Sequence, residues 1–310
     1  MTSFDYGDKA NVATRCAICG TLGNAQELYP AKLAGETLDE KAFSARRFYG
    51  EKIHFRWVLC NTCGLMRSDP IIDPATYDGL YERSNLTYES HIDNLTKTYG
   101  YYLHKIQKYI PSKGAILEIG GGNGFFLEEA KRQGYATVAG VEPSSDAIAK
   151  ARADIKPFLT KGMFSKELYP ANSFDCICIF QTLDHLLDPS KVLQDALVLL
   201  KPGGVFFAIN HNCKSLSARI LGEKSPIIDI EHTYLYNAST IRKLFEKNGY
   251  EVMKVFYPSS RHSFGYLFSL LPIKPVGLKS WLHKMINTLG LSRIPLFIPI
   301  GNLGIVARKK

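Results

Sequence analysis

The 310-residue sequence predicts an α/β fold, in which a doubly wound sheet is covered by helices on both faces and follows a small cysteine-bearing domain. Two observations predict it. Short apolar strands alternate with helices from residue 115 onward, which is typical of parallel sheets. Before residue 85 the chain is rich in turns and contains two C-x-x-C pairs. With 45% hydrophobic and 22% charged residues, the composition excludes a disordered, collagenous or coiled-coil protein.

The predicted elements follow one another in a regular order. A helix over 92–110 presents an apolar stripe and is ended by Pro111 and Gly114. The predicted strands are 115–119, 136–141, 158–160, 175–180, 205–209, 251–257 and 303–309. The predicted helices between them are 124–133, 145–153, 189–200 and 239–248. We therefore divide the chain into an amino-terminal domain, 1–85, and an α/β domain, 86–310.

A glycine turn after the first strand of the sheet is the strongest single motif. Gly120, Gly122 and Gly124 permit a tight turn, and the following helix offers free backbone N–H groups to a ligand. Glu142 ends the next strand, where a ribose-binding carboxylate belongs in a nucleotide-binding βαβ unit. The dinucleotide fingerprint G-x-G-x-x-G does not fit, because Phe125 occupies the position of its last glycine. A tight turn without a ligand is the alternative interpretation.

These residues resemble the class I S-adenosylmethionine-dependent methyltransferases. The first motif of that family, E/D-x-G-x-G-x-G, is matched by Glu118 and the three glycines, and its second, an acid after strand two, by Glu142. The segments SFDCICIFQTLDHLLDP and LLKPGGVFFAIN resemble the strand-four and strand-five segments of the family. The resemblance covers about 86–310 and implies a mostly parallel, seven-stranded, Rossmann-like sheet that ends with an antiparallel strand.

The resemblance also implies S-adenosylmethionine as the cofactor. Because the sulfonium carries an activated methyl group, the protein has mainly to align donor and acceptor. Met163 and Phe164 follow strand three, near where the family holds adenine, but the acid often found there is absent nearby. The predicted cofactor-binding residues are Glu118, Gly120, Gly122, Asn123, Gly124, Glu142, Met163, Phe164 and Gln181.

The two C-x-x-C pairs, each followed by a glycine, are typical of zinc knuckles. Four thiolates suit tetrahedral Zn²⁺, and a site closed by four protein ligands is structural rather than catalytic. Buried free thiols and a redox pair are the alternatives. The predicted metal ligands are Cys16, Cys19, Cys60 and Cys63. We interpret the other three cysteines as packing residues.

Polar residues follow strands four and five, at the edge of the sheet where open parallel sheets bind ligands. They include Asp184, His185 and His211. We predict Glu231 and His232 as the catalytic pair, because a histidine can take a proton from a hydroxyl or an acidic carbon and a carboxylate can orient it. A pair that only anchors the loop is the alternative. His185 is interpreted as part of the site wall.

The stretch IIDIEHTYLYNASTIRKLFEKNGYEV resembles the bacterial nucleotide-sugar C-methyltransferases. Those enzymes join a four-cysteine zinc domain to this fold and carry a Glu-His pair at the matching place. A tyrosine ahead of the glycine motif also serves their active site, and Tyr88 is the candidate here. Their further carboxyl-terminal domain binds the nucleotide-sugar and has no counterpart before residue 310. The specific substrate, and the choice between C- and O-methylation, therefore stay open.

The net charge of +9 would by itself indicate a nucleic-acid partner. However, residues 261–310 hold eight Lys and Arg and no acid, whereas the first 260 residues hold 30 basic and 29 acidic side chains. Within this basic segment, about 258–302, residues 276–291 predict an amphipathic helix. Its apolar face would comprise Leu278, Trp281, Leu282, Met285, Ile286 and Leu289. It is interpreted as a packed helix, as a lid over an anionic substrate, or as a membrane contact through 276–302.

We therefore predict an enzyme that moves a methyl group from S-adenosylmethionine to a hydroxyl or carbon of a sugar or glycan, with His232 as the base. An anionic acceptor, a nucleotide-sugar or a lipid-linked glycan, is expected. An RNA methyltransferase is a rival interpretation. However, residues 1–85 contain 10 Lys and Arg and 11 Asp and Glu, so no nucleic-acid partner is favoured. A non-catalytic binder is disfavoured by the intact glycine motif.

Two sequence features predict where the protein works. No apolar run has the length of a membrane span, and the amino terminus lacks the apolar core of a signal peptide. We expect a cytoplasmic protein, at the inner face of the membrane if the basic helix makes a membrane contact.

Overall fold

The computed structural model describes residues 11–33, 53–269, 271, 273–299 and 301–310. Its amino-terminal part forms small antiparallel sheets and one short helix. The elements are β1 (Asn11–Val12), β2 (Ala25–Tyr29), β3 (Trp57–Cys60), β4 (Met66–Ser68), β5 (Ile71–Ile72) and α1 (Pro74–Arg83). Asp73 begins α1 by accepting a hydrogen bond from the backbone N–H of Thr76, and Pro74 suits the first helical turn.

The rest of the chain alternates helices and strands. The elements are α2 (Ile92–Ile106), β6 (Ala115–Ile119), α3 (Phe125–Arg132), β7 (Thr137–Glu142), α4 (Ser145–Ala149), β8 (Leu159–Lys161), β9 (Phe174–Phe180), α5 (Pro189–Leu199), β10 (Leu200–His211), α6 (Leu216–Leu221), β11 (Tyr234–Leu235), α7 (Ala238–Lys247), β12 (Tyr250–Phe256), β13 (Ser260–Ser263), α8 (Phe264–Ser269), α9 (Val276–Thr288), β14 (Pro295–Ile298) and β15 (Asn302–Lys309).

Seven strands form the main sheet, in the order β12-β15-β10-β9-β6-β7-β8. β15 is antiparallel to both of its neighbours, and the other described pairs in this sheet are parallel. This arrangement confirms the predicted fold class, a mostly parallel seven-stranded Rossmann-like sheet. The predicted strand bounds agree within about two residues except at β10, which begins at Leu200 rather than 205. Leu200 pairs with Phe174 ahead of a glycine turn, and pairing resumes at Val205.

The alternation of side chains along the strands builds a core on each face of the sheet. One face packs against α5 and α7, and its strand residues are Leu117, Ile119, Ile177, Ile179, Phe206, Ala208, Ile305 and Ala307. The other face packs against α2 and α3, and its strand residues are Ile116, Cys176, Cys178, Phe180, Val205, Phe207, Ile209 and Val306. Cys176 and Cys178 are fully buried there, as packing residues should be.

The amino-terminal part and the α/β part share a sheet. β11 follows β10 in the chain, but it pairs with β4, so the small sheet runs β11-β4-β3-β2. The Tyr234 hydroxyl donates to the carbonyl of Arg15 at 2.7 Å. The predicted boundary at residue 85 stays a prediction, but the two parts are joined by backbone pairing across it. Among the described residues, no helix combines the length and the apolarity needed to cross a bilayer.

Candidate functional site

A cavity of about 570 Å³ opens at the carboxyl ends of β6, β7, β9 and β10. This is the edge of an open parallel sheet where ligands bind. One end of the cavity is lined by the glycine turn and Glu142. The other end is lined by His211, Glu231, Ser260, Arg261, His262, Tyr266, Leu267 and Leu271. Its volume lies in the usual range of small-molecule sites. The predicted cofactor end and the predicted acceptor end therefore belong to one continuous cavity.

The glycine turn holds a backbone that other residues adopt with difficulty. Gly120, Gly122 and Gly124 have φ angles of +75°, +53° and +78°. A Cβ atom at Gly120 would lie 2.7 Å from the hydroxyl of Thr182, and one at Gly122 would clash with the hydroxyl of Tyr88. The turn therefore needs glycine for its conformation and for the space beside it.

Glu142 ends β7 beside this turn, as the sequence predicts. Its carboxylate accepts hydrogen bonds from the backbone N–H groups of Gly122 and Ser144, both at 2.8 Å. Burial raises the pKa of Glu142, and these two hydrogen bonds partly offset the effect. Each carboxylate oxygen keeps acceptor capacity for a hydroxyl of a bound ligand. The geometry fits the predicted contact with the ribose.

Glu118 lines the cavity one strand away and is 2% exposed. Its Oε2 atom is buried and has no hydrogen-bond partner among the described residues. Burial, followed by the charge of Glu142, raises the pKa of Glu118 well above its usual value. Because a buried carboxylate without a partner is costly, this position fits a positively charged ligand. The sulfonium and ammonium groups of S-adenosylmethionine are such partners.

The other predicted cofactor residues occupy different positions. Gln181 lines the cavity with a φ of +49°, and its Oε1 atom is buried without a partner within the described part of the chain. Such backbone strain is common at ligand sites. Asn123 lies in the glycine turn, with a buried Oδ1. Met163 is 47% exposed and Phe164 packs against the core of the sheet, and neither lines the cavity.

Residues 84–88 also line the cofactor end, although the sequence analysis selected only Tyr88 among them. They are held in place by the region after β7. The backbone N–H of Leu86 donates to the carboxylate of Asp146 at 2.8 Å, and the hydroxyl of Ser144 donates to the carbonyl of Ser84 at 2.7 Å. No local sequence motif marks this segment, because its position depends on contacts about 60 residues away.

Asp184 lies at the centre of the acceptor end and is fully buried. Its Oδ2 atom is 2.5 Å from Nδ1 of His211, and its Oδ1 atom is 3.8 Å from Nε2 of His185. Burial alone would raise the pKa of Asp184, but the charge and hydrogen bond of His211, with smaller effects of His185 and His232, hold its pKa well below the usual range. Asp184 is therefore ionised and holds a histidine on either side.

His211 lines the cavity with its side chain 21% exposed. Because Nδ1 donates to Asp184, Nε2 is the nitrogen that can accept a proton. This is the arrangement of an oriented general base. The sequence places His211 at this edge of the sheet without pairing it with Asp184. The two residues follow adjacent strands of a parallel sheet, and that placement could have indicated the pair.

The three predicted catalytic residues lie at different depths. Glu231 is 3% exposed and lines the cavity. His232 is 2% exposed, bonds through Nδ1 to the carbonyl of Ile227, and lies behind the cavity wall with its ring 4.9 Å from that of His211. Tyr88 lies at the cofactor end beside the glycine turn, where burial and then Glu142 and Glu118 raise its pKa well above its usual value. Their catalytic roles stay predictions.

Two sets of residues have the spacing of metal ligands. The ligand atoms of Asp184, His211 and His232 lie within 4.8 Å of one another, as do those of the four predicted cysteine ligands. Between the two cysteine pairs, the sulfur atoms of Cys16 and Cys63 are 3.3 Å apart, and those of Cys19 and Cys60 are 3.5 Å apart. Tetrahedral zinc with bonds of about 2.3 Å would place sulfur atoms about 3.8 Å apart. Both measured separations are somewhat shorter than this, and the four close cysteines suggest a metal site.

The amino-terminal part supports the acceptor end from behind. The hydroxyl of Tyr77 donates to the carbonyl groups of His185 at 2.8 Å and Glu231 at 2.7 Å. The hydroxyl of Ser68 donates to the carbonyl of His232 at 2.9 Å. We call His185, His211 and His232 the histidine cluster. The loops that carry His185 and His232 are thus attached to the region that follows the second cysteine pair.

Comparison with known proteins identifies the family of the chain. Residues 91–255 match the profile of a family described as "Methyltransferase domain", and the chain belongs to that family. The chain therefore contains a methyltransferase domain.

Curated relatives of the chain include ubiquinone biosynthesis O-methyltransferases. The protein of that name from Vibrio cholerae is 32% identical over 131 residues, which are 39% of this chain and 53% of that protein. The one from Bradyrhizobium sp. is 33% identical over 117 residues, 34% of this chain and 44% of that protein. The chain spans about half the length of the curated relatives it matches.

Solved structures of methyltransferases are similar to parts of this chain. A SAM-dependent methyltransferase from Archaeoglobus fulgidus has a TM-score of 0.49 and 21% identity, and it covers 72% of this chain and 99% of its own. A possible histamine N-methyltransferase from Thermotoga maritima has a TM-score of 0.47 and 22% identity, over 72% of this chain and 93% of its own.

Proposed function

We propose that the enzyme methylates a hydroxyl group of a sugar or glycan acceptor and that His211, held by Asp184, is the general base. The buried Asp184–His211 pair, which opens onto the same cavity as the glycine turn, carries this proposal. The acceptor hydroxyl gives its proton to Nε2 of His211, and its oxygen attacks the methyl carbon. The carbon–sulfur bond breaks, and S-adenosylhomocysteine leaves as a neutral thioether.

Polar groups at the acceptor end support a hydroxyl-rich acceptor. Several hydroxyls and one amide line this part of the cavity, and such groups hydrogen-bond the hydroxyls of a sugar. They belong to Ser215, Ser217, Ser225, Ser260 and Asn302. The combination of four cysteines with Glu231-His232 also resembles nucleotide-sugar methyltransferases. The names of the curated relatives favour oxygen over carbon as the methylated atom.

Arg261 supports the anionic character proposed for the acceptor. It lines the cavity, and its Nε atom is buried without a hydrogen-bond partner among the described residues. Arg261 lies in β13, and its backbone N–H donates to the hydroxyl of Thr98 in α2 at 2.9 Å. This hydrogen bond attaches β13 to α2. A guanidinium of this kind recognises a carboxylate or phosphate.

A phenolic acceptor on a lipid tail is the second candidate. Aromatic and aliphatic side chains line much of the cavity, among them Tyr99, Phe180, Tyr266, Leu267 and Leu271. They would accept an apolar ring or chain better than they would accept a free sugar. The curated relatives are named for ubiquinone biosynthesis, which agrees with this candidate.

The experiment supplies S-adenosylmethionine labelled in the methyl group to extracts of the source cells. The aqueous glycan fraction, the lipid-linked glycan fraction and the quinone fraction are counted separately. Label in either glycan fraction supports the proposal, and label in the quinone fraction alone supports the second candidate. Label in RNA alone would overturn both.

Matched asparagine variants test the base. We expect His211→Asn to lose transfer by about 10²-fold to 10⁴-fold while its affinity for S-adenosylhomocysteine is unchanged. His104→Asn, on the exposed side of α2, is the control and should behave as the wild type. If His232→Asn loses transfer and His211→Asn keeps it, His232 is the base that the sequence predicted and our assignment is wrong.

We also infer that the four cysteines hold one structural zinc ion. The sulfur distances and the glycine turns support it, because Gly20 and Gly64 donate to the carbonyl groups of Cys16 and Cys60 at 2.8 and 2.9 Å. Elemental analysis should find one zinc per chain in protein purified without added metal. A metal-free protein of full activity would refute the inference.

A further inference from the structure

The helix α9 exposes most of the apolar face that the sequence predicts. Leu278, Trp281, Met285 and Leu289 are 45%, 60%, 40% and 62% exposed. Their spacing of three or four residues places them along one side of the helix. Ile286, at 7% exposed, is buried beside this row of residues. The helix α9 therefore packs on the protein through Ile286 and leaves these four residues of its predicted apolar face exposed.

The exposed apolar surface continues beyond the helix. Leu291, Ile294 and Phe297 are 38%, 45% and 53% exposed and lead into β14. Of the nineteen large hydrophobic side chains exposed in the described residues, nine lie between 257 and 297. A water-soluble protein rarely exposes so concentrated an apolar surface unless something covers it. We call the surface formed by 278–297 the apolar face.

Positive charge surrounds the apolar face. The sequence contains no Asp or Glu after Glu251, whereas Lys274, Lys279, Lys284 and Arg293 lie in or beside the face. Lys284 and Arg293 make no ion pair with a described residue. A second copy of the chain would place the same positive charges opposite these, and like charges repel. An anionic lipid surface complements both the charge and the apolar side chains.

The apolar face continues into the acceptor end of the cavity. Leu267 and Leu271, just ahead of α9, line the cavity, and Leu271 is 45% exposed. The short helix α6 also contributes to the lining through Leu221, and its Leu216 and Ile220 are 71% and 73% exposed. The rim of the acceptor end is therefore apolar on both of these segments.

We infer that the apolar face docks on an anionic phospholipid bilayer and presents the acceptor end of the cavity to it. Trp281, Leu278 and Leu289 enter the interface, and the neighbouring lysines and arginine contact the phosphate groups. An acceptor attached to a lipid could then reach His211 without leaving the membrane. Only this last consequence rests on the proposed function, because docking requires neither an acceptor nor methyl transfer.

Flotation of the full-length, zinc-loaded protein with vesicles tests the docking. One set of vesicles contains phosphatidylcholine alone, and the other contains phosphatidylcholine with phosphatidylglycerol. We expect binding to the anionic vesicles, weaker binding at high salt, and little binding to the neutral vesicles. Equal or absent binding to the two sets would overturn the inference.

Variants test which residues bind the vesicles. Trp281→Ala with Leu289→Ala should weaken binding about tenfold or more, and Lys284→Gln with Arg293→Gln should remove most of the preference for anionic vesicles. Val198→Ala, an exposed apolar residue on α5, is the matched control. All variants should bind S-adenosylhomocysteine as the wild type does, which shows that they fold.

Two further measurements separate the alternatives. Sedimentation without vesicles should give a monomer. A dimer that dissociates in the variant carrying Trp281→Ala and Leu289→Ala would show that a second copy of the chain covers the apolar face. His211→Asn should bind vesicles normally although it is expected to lose transfer. Failure of the proposed base therefore leaves the docking result intact, and failure of docking leaves the base assignment intact.

Discussion

Glu118 couples the stability of the protein to its cofactor. It is a buried carboxyl group whose pKa is raised well above the usual value by burial and then by Glu142. Since the folded-state pKa exceeds the unfolded-state pKa of about 4.3, the folded protein binds the proton more tightly. The free energy of unfolding therefore falls as the pH rises from about 4.3 to the folded-state pKa of Glu118. A bound cation offsets that penalty.

The variant Glu118→Gln should be more stable without cofactor at pH 8, with a smaller gain at pH 5, since the amide cannot ionise. It should bind S-adenosylmethionine about 10-fold to 100-fold more weakly, because a hydrogen bond to a charged group is lost. Thermal unfolding at both pH values and calorimetric titration measure the two effects. Glu246→Gln, exposed on α7, is the control. A variant with unchanged affinity would show that Glu118 does not contact the cofactor.

At the scale of the element, the strands β3 and β4 connect the cysteine cluster to the histidine cluster. Cys60 ends β3. The next strand, β4, pairs with β11, which begins two residues after His232. The hydroxyl of Ser68, the last residue of β4, also donates to the carbonyl of His232. A change at the cysteine cluster can therefore reach the acceptor end through this pair of strands.

Loss of the zinc ion should lower both stability and transfer. We expect Cys60→Ser, or treatment with a strong chelator, to remove several kcal/mol of stability, because structural zinc contributes directly to folding. Transfer should fall more than cofactor affinity, since the cluster supports the acceptor end. Cys213→Ser is the matched control, because Cys213 lies outside the cluster. Normal stability of Cys60→Ser after chelation would contradict the expectation.

The main sheet could be predicted from sequence because its signals are local. Apolar runs, glycine turns and caps such as Asn237 mark each element within a few residues. The position of the glycine turn was predictable for the same reason, since Glu118 and the glycines lie within one short stretch of the chain. The pairing of Arg67 with Tyr234 was not, because β11 has two residues and its partner is far away in sequence.

The acceptor end shows the same limit. Asp184, His211 and His232 come from three separate segments of the chain. Only the packed structure shows that Asp184 bonds to His211 while His232 lies behind His185 and His211 of the cavity wall. The exposure of α9 was equally hidden. Its amphipathic pattern is the same whether the apolar face is buried in the protein or left exposed.

At the scale of the whole molecule, the shared sheet predicts that the amino-terminal part and the α/β part unfold together. The chain has two tryptophans, and Trp57 is fully buried in β3 whereas Trp281 is exposed. In the variant Trp281→Phe, fluorescence therefore reports only the amino-terminal part. Far-UV circular dichroism reports mainly the main sheet and its helices.

We expect the two probes to give the same urea midpoint and slope in the zinc-loaded variant, as one cooperative transition requires. The predicted S-adenosylhomocysteine site lies mainly in the α/β part, yet the ligand should stabilise both parts equally, by about 2.7 kcal/mol at 100 times its dissociation constant. It should therefore raise both urea midpoints together. If the two parts were independent domains, the ligand would shift the circular dichroism and leave the fluorescence of Trp57 unchanged. That outcome would mean that the pairing of β4 with β11 is too weak to couple the cysteine cluster to the site.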